Sequence, residues 1–98
     1  MLDQTTIATI ARQIATANLS SANVTGVFSA PMTDFEGRDA LRITIVLAEG
    51  ATDRLPGKKT LNTLVELQDE LLKQGEDRFP FIEYATDKEL SESGDPES

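Results

Sequence analysis

The residues best placed for chemistry lie in the segment 50–60, which reads GATDRLPGKKT. It contains three of the nine basic residues of the chain, Arg54, Lys58 and Lys59, just before a predicted helix. The amide groups and the dipole at the start of a helix favour an anion. The spacing differs from that of a phosphate loop, because six residues separate the two glycines and a second lysine follows Lys58. We therefore interpret the segment as a solvated loop, with an anion or nucleotide-phosphate contact through these three basic residues as the alternative.

A second polar cluster consists of Asp34, Glu36 and Asp39, in a stretch whose Asp and Gly content is typical of a turn. Carboxylates are the ligands that hard cations prefer, but a calcium loop needs oxygen ligands at fixed odd positions and a closing glutamate. The turn has neither feature. We interpret these residues as solubilising charge and expect no metal at this site.

The residue types needed for most catalysis are missing. The chain has no cysteine and no histidine, which excludes a thiol nucleophile, an imidazole base and the usual zinc ligands. A mechanism based on two carboxylates needs a substrate cleft, usually with aromatic side chains, and the chain has no tryptophan and one tyrosine. We therefore expect a protein that is not an enzyme and has no cofactor.

The net charge of the chain indicates which classes of partner are favoured. The net charge of −8 disfavours nucleic acid, whose binding depends on basic side chains that neutralise phosphates. The last eight residues contain three carboxylates and no base, so the rest of the chain still has a net charge of −5. An acidic body favours a basic protein partner. The start lacks a basic leader region and no apolar run is long enough to span a membrane, so we expect a cytoplasmic protein without a membrane partner.

Charge is almost absent from the first third of the chain. Between Gln4 and Thr33 the only charged residue is Arg12, where about eight would be expected at the average of the chain. Because the cores of protein interfaces are depleted in charge, a surface covered by another molecule explains this stretch, and an ordinary uncharged face is the alternative. The candidate interface residues are Thr5, Thr9, Arg12, Gln13 and Thr16, together with Val46 on a sheet face. The sequence does not distinguish a homodimer from a separate partner.

The elements that position these residues follow from hydrophobic periodicity. Apolar residues recur every three or four positions from Thr5 to about Asn18 and again after Pro56 as far as Gln74, which predicts two amphipathic helices. Alternation and β-branched residues predict strands over 24–32, 40–49 and 79–85, with a hairpin between the first two and Pro80 near an edge. Gly75 is expected to end the second helix, and Thr86 and Glu89 are spaced to cap one short turn of helix.

The predicted fold class is α+β. The second predicted helix is long enough to return the chain along a strand, so the third strand should run parallel to the second. The three strands should then form a mixed sheet in a two-layer sandwich of order α-β-β-α-β. Right-handed crossover places the second helix, and with it the first, on the face that carries Leu41, Ile43, Ile45 and Leu47. Residues 1–90 should form one domain and residues 91–98 a disordered acidic tail.

This element order is similar to that of type II KH domains and of BolA-like proteins. A KH domain holds nucleotides with a GxxG loop, and no two glycines here have that spacing. BolA-like proteins use a histidine for metal chemistry, which this chain lacks. The resemblance therefore implies topology alone. The sequence favours a small acidic interaction or regulatory domain of the adaptor, immunity or antitoxin type, with an anion-binding module or an accessory KH-like RNA-binding domain as alternatives.

Overall fold

The computed structural model describes residues 1–51 and 55–93, and these residues form three helices and three strands. The elements are α1 (Gln4–Leu19), β1 (Val24–Thr33), β2 (Asp39–Leu47), α2 (Gly57–Lys73), β3 (Phe79–Thr86) and α3 (Asp87–Ser93). The predicted α+β fold with a mixed three-stranded sheet is confirmed, and the boundaries of its five predicted elements agree to within about two residues.

Helix α1 begins at a cap formed by Asp3. The Asp3 side chain accepts a hydrogen bond from the amide of Thr6 at 2.7 Å, and this bond lowers the pKa of the Asp3 carboxyl. One stripe of the helix faces the interior, formed by Ile7, Ile10, Ala11, Ala15 and Leu19. The opposite side, which is polar but uncharged except for Arg12, remains exposed or half-buried.

Strands β1 and β2 form an antiparallel hairpin, with Phe28 opposite Thr44 and Ala30 opposite Arg42. The turn between them is built on Asp34, whose carboxylate accepts hydrogen bonds from the amides of Glu36 and Arg38, both at 2.9 Å. These bonds, first that from Arg38, lower the pKa of Asp34. Gly37 adopts a φ of 84°, a conformation that favours glycine, so the residue types of the turn account for its shape.

Strand β3 lies on the other side of β2 and runs parallel to it, so the sheet order is β1-β2-β3. Helix α2 makes the crossover and is terminated by Gly75, two residues after its last residue Lys73, where φ is 87°. The amide of Gly75 donates to Leu72 O at 3.1 Å and the amide of Glu76 donates to Leu71 O at 2.8 Å. This pair of bonds is the Schellman arrangement, and it confirms Gly75 as the residue that ends the helix.

Both long helices pack on one face of the sheet, as predicted. The core joins the buried stripe of α1 and Leu67 and Leu71 of α2 to the β2 residues Leu41, Ile43, Ile45 and Leu47. Residues of opposite parity point to the other face, which carries Phe28, Met32, Arg42, Phe79, Phe81 and Glu83 according to the strand register. We call this second side the open face. Arg42 is exposed there, in agreement with the predicted register.

Val46 departs from the expected pattern. The expectation that it is exposed on the open face is wrong, because only 1% of its surface is accessible. Its strand partner is Gly26, and a Cβ atom placed on that glycine would lie 3.8 Å from both Phe28 Cε2 and Val46 Cβ. The missing side chain lets the Phe28 ring approach Val46, so burial at this position comes from a neighbour on the same face.

A buried ion pair ties the start of the chain to the loop between α2 and β3. The Glu76 carboxylate is fully buried and accepts hydrogen bonds from the Leu2 amide at 2.8 Å, the Arg78 amide at 3.1 Å, and Arg78 Nε and Nη2 at 2.8 and 2.9 Å. Arg78 Nη2 also donates to Leu2 O at 3.1 Å. The bonds from Arg78, followed by that from Leu2, lower the pKa of Glu76 to about 2 against the opposing effect of burial.

Helix α3 follows β3 directly. The Thr86 amide donates to the Glu89 carboxylate at 2.9 Å and the Glu89 amide donates to Thr86 Oγ1 at 3.1 Å, which is the predicted reciprocal cap. The helix continues to Ser93, into the segment that the sequence assigns to a tail, and the remaining tail residues 94–98 lie outside the described part of the chain. None of the helices in the described residues is both long and apolar enough to cross a membrane.

Candidate protein-interaction surfaces

A cleft with a volume of about 390 Å³ opens where the hairpin turn meets the start of β3. Its lining consists of two aromatic rings, three carboxylates and one guanidinium: Phe79, Phe81, Asp34, Asp39, Asp77 and Arg38. The hairpin and the loop after α2 bring the charged residues together, while β3 supplies the rings. We call this site the aromatic–acidic cleft.

The two rings of the cleft project from alternate residues of β3. Phe79 pairs with Ala40 and Phe81 with Arg42, so both rings lie on the open face. Their centroids are 5.0 Å apart with an interplanar angle of 67°, the edge-to-face geometry that aromatic pairs favour. Each residue is 39% exposed. The rings are therefore held in place by each other and still present surface to a ligand.

The carboxylates of the cleft differ in what already neutralises them. Asp34 is held by the turn amides and by Arg38 Nε at 3.2 Å, and Arg38 also pairs with Glu36. Asp39 and Asp77 are exposed and form no ion pair within the described residues. Both contribute to raising the pKa of Arg78, but after the larger effect of its hydrogen bonds to Glu76. The cleft therefore keeps an excess of negative charge.

A second surface lies at the opposite edge of the sheet, where α1 runs beside β1. A groove of about 380 Å³ is lined by Gln4, Thr5, Ala8, Thr9 and Arg12 of α1 and by Val27, Phe28 and Ser29 of β1. We call these eight residues the α1–β1 edge. The fold thus brings together three of the predicted interface residues, Thr5, Thr9 and Arg12. Gln13 is exposed on the same helix and Thr16 is half-buried, and neither lines the groove.

The remaining predicted site residues are placed less favourably. Val46 is buried and is not available to a partner on the surface of the chain. Lys58 and Lys59 are exposed in the first turn of α2, whereas Arg54 lies outside the described residues. The described part of the proposed anion strip is therefore two lysines at a helix start. Whether it binds an anion stays a prediction.

Sequence reasoning missed the aromatic–acidic cleft altogether. The sequence predicts a strand from Phe79 to Ala85 but does not show which of its residues face the helices. The signal was present, since Phe79, Phe81 and Glu83 share one parity and Pro80, Ile82 and Tyr84 the other. Only the pairing with β2 shows that the phenylalanines lie on the open face. Asp77 reaches the cleft because the loop after α2 ends beside the hairpin.

Within the described ranges, no group of three or more histidine, cysteine, aspartate or glutamate residues could hold a metal ion. The cleft instead combines apolar rings with carboxylates, which suits a ligand that is both apolar and positively charged. Comparison of the chain with family models, with curated proteins and with solved structures gives no match.

Proposed function

We propose that the chain is a cytoplasmic protein-interaction or regulatory domain of the adaptor, immunity or antitoxin type, which performs no catalysis and binds a basic segment of a partner protein. The observation that carries this proposal is the aromatic–acidic cleft, where two exposed phenylalanine rings adjoin carboxylates that lack ion-pair partners in the described structure. The net charge of −8 adds a long-range attraction for such a partner.

The chemistry of a lysine or arginine side chain fits the cleft in two parts. Its hydrocarbon stem can lie on the rings of Phe79 and Phe81, and its cationic head can reach Asp39 or Asp77. A cation over an exposed aromatic face contributes about 0.5–1 kcal/mol, and the carboxylates add charge complementarity that steers association. Arg42 lies beside Phe81 in the strand register, so the basic segment should approach from the hairpin side and avoid the middle of the open face.

The same charges argue for a protein partner over a nucleic acid. Exposed aromatic rings on a sheet also suit stacked bases, but that mode of binding requires a basic path for the phosphates. The lining of the cleft has three carboxylates and one arginine, and the resulting net negative charge would repel phosphates. An RNA-binding role would therefore have to use a different surface.

Anion binding at the start of α2 remains a second candidate. The helix begins without a side-chain cap and without an acidic residue in its first turn, and Lys58 and Lys59 are exposed there. Inorganic phosphate should then shift the amide signals of residues 57–60. A basic peptide bound in the cleft should leave those signals unchanged.

The proposed function is tested by titrating the ¹⁵N-labelled chain with an octalysine peptide. We expect the amide signals of Asp39, Asp77, Phe79 and Phe81 to shift most, with a Kd between about 10 μM and 1 mM for a short exposed contact. The double variant Asp39→Asn/Asp77→Asn should weaken binding about tenfold, and Phe81→Ala about two- to fivefold.

A matched control separates the cleft from general attraction to an acidic protein. Asp69 and Glu66 lie on the exposed side of α2, so Asp69→Asn/Glu66→Gln removes the same charge without touching the cleft. It should bind the peptide nearly as tightly as the unmodified chain. If both double variants weaken binding equally, or if the largest shifts fall on α2, the proposed site is wrong.

A further inference from the structure

Strand β1 has an outer side that no other element pairs with in the described structure. It is the first strand of the order β1-β2-β3, and β2 occupies only one of its two sides. Half of the amide and carbonyl groups of an edge strand point outward, ready to pair with another strand. From Val24 to Thr33 the strand contains no charged residue, which is the commonest protection against such pairing.

The protections that β1 does have lie at its ends. The register with β2 shifts between Val24 and Gly26, and Pro31 lies two residues before the end of the strand at Thr33. The middle, residues 27–30, carries neither a bulge nor a proline. The opposite edge is different, because β3 has Pro80 near its start and the charged Glu83 near its centre. Of the two edges, β1 is the one suited to pairing.

The helix beside β1 is also suited to being covered. On the groove side of α1, Thr9 Oγ1 donates to Thr5 O at 3.0 Å, so its hydroxyl is satisfied within the helix. Ser29 Oγ of β1 donates to Gln4 Oε1 across the groove. Covering this surface therefore leaves few hydrogen-bond donors without an acceptor. Small residues such as Ala8 allow another helix to approach closely.

We propose that the α1–β1 edge is the interface of a homodimer, in which β1 pairs antiparallel with β1 of a second copy about a centre near Phe28. The two sheets then join into one sheet of six strands. A two-fold axis perpendicular to the sheet keeps all the helices on one side, so α1 lies next to α1 of the second copy above the joined strands. Neighbouring strands lie about 4.8 Å apart and packed helices about 8–10 Å apart, distances that place the second α1 in the groove.

A second copy explains features that a single added peptide strand would leave unexplained. A lone strand pairs with the outer side of β1 but leaves the uncharged side of α1 in water. The second copy covers the strand edge and the groove, and it also reaches Phe28, which is 59% exposed beside the joined strands on the open face. One occupant therefore accounts for the open strand, the groove and the exposed ring.

Electrostatics favours a copy of the chain over a basic partner at this edge. Two copies with a net charge of −8 repel each other wherever their carboxylates meet. At the α1–β1 edge the only charged residue is Arg12, so no carboxylate of this edge meets a carboxylate of the second copy. A basic protein would gain no attraction from this surface.

Sedimentation equilibrium of the full chain tests the interface. The unmodified chain should be dimeric at ~100 μM, and the variants Thr9→Glu and Phe28→Glu should each weaken the dimer at least about tenfold, because each places two like charges across the two-fold axis. The controls Asn62→Glu and Leu61→Glu add the same charge at exposed positions of α2, and Leu61 is as exposed as Phe28, at 59%. They should leave the dimer intact.

Amide hydrogen exchange of the unmodified chain gives a second readout that needs no variant. Protection of residues 27–30 should increase with protein concentration, while the amides of β3 should not change. A chain that stays monomeric even at ~1 mM would overturn the proposal, because its dimer would then be too weak to count as an interface. A dimer that shows no such protection of β1, or that Leu61→Glu disrupts as much as Phe28→Glu, would overturn it equally.

Discussion

Glu76 is a buried carboxylate whose negative charge is stabilised by its hydrogen-bond donors. Its carboxylate is buried among donors from Leu2 and Arg78, and its pKa is lowered to about 2. Removing the charge leaves Arg78 buried without its partner, which costs about 3 kcal/mol in comparable buried pairs. We therefore expect Glu76→Gln to lower the free energy of unfolding at pH 7 by about 3 kcal/mol, measured by urea denaturation.

The pH dependence of that difference follows from the direction of the pKa shift. Because the pKa of Glu76 is lower in the folded chain than its ordinary value of 4.5, the unfolded chain binds more protons between pH 4.5 and about 2. The stabilisation is complete above pH 4.5 and is lost as the pH falls towards 2. The difference between the unmodified chain and Glu76→Gln should shrink over that range. An unchanged difference, or an equal loss of stability in the exposed control Glu49→Gln, would contradict this role.

Single residues differ in how far the sequence alone predicts their roles. The cap at Thr86 was predictable because its partner Glu89 lies three residues away, within one turn of helix. The role of Glu76 was not, because besides the nearby Arg78 it binds the Leu2 amide, which is 74 positions away along the chain. Val46 failed for a related reason, since its burial depends on a ring from another strand reaching across Gly26.

Among the elements, the end of α2 offers the clearest test of local conformation. Gly75 has a positive φ and a Cβ atom added there would meet nothing within 4 Å, so any effect of a side chain comes from backbone strain. Gly75→Ala should therefore destabilise the chain by about 1 kcal/mol. Gly57, at the start of the same helix, has equal space but no such φ, and Gly57→Ala should stabilise the chain by about 0.5 kcal/mol.

Thermal and urea denaturation of these two variants measure the contrast. Opposite signs would support the assignment of Gly75 as the residue that ends α2. A gain in stability for both alanines would show that position 75 does not need the left-handed conformation in solution.

Element type and order were predictable because each helix and strand carries its own periodicity. Leu41, Ile43, Ile45 and Leu47 alternate with Arg42, which identifies both the strand and its buried face. The faces of β3 were not predictable in the same way, because apolar residues occupy both parities there. Pairing with β2 decides that Phe79 and Phe81 face outward, and the aromatic–acidic cleft depends on that decision.

At the scale of the whole molecule, a nearly uncharged surface and an acidic surface lie at opposite edges of one sheet. The uncharged α1–β1 edge and the aromatic–acidic cleft lie at β1 and β3, on either side of β2. The sequence reveals the uncharged stretch directly, since thirty consecutive residues contain one charge. It does not reveal the cleft, whose residues come from positions 34–39 and 77–81. Because the two surfaces are separate, the proposed homodimer and the proposed binding of a basic partner do not compete for the same residues.

Sedimentation velocity with a fluorescently labelled octalysine peptide tests this separation most directly. Because the proposed sites do not overlap, the peptide should sediment with the dimer at two peptides per dimer, and Phe28→Glu should bind it as a monomer with unchanged affinity. Peptide binding that dissociates the dimer, or that saturates at one peptide per dimer, would contradict two independent surfaces.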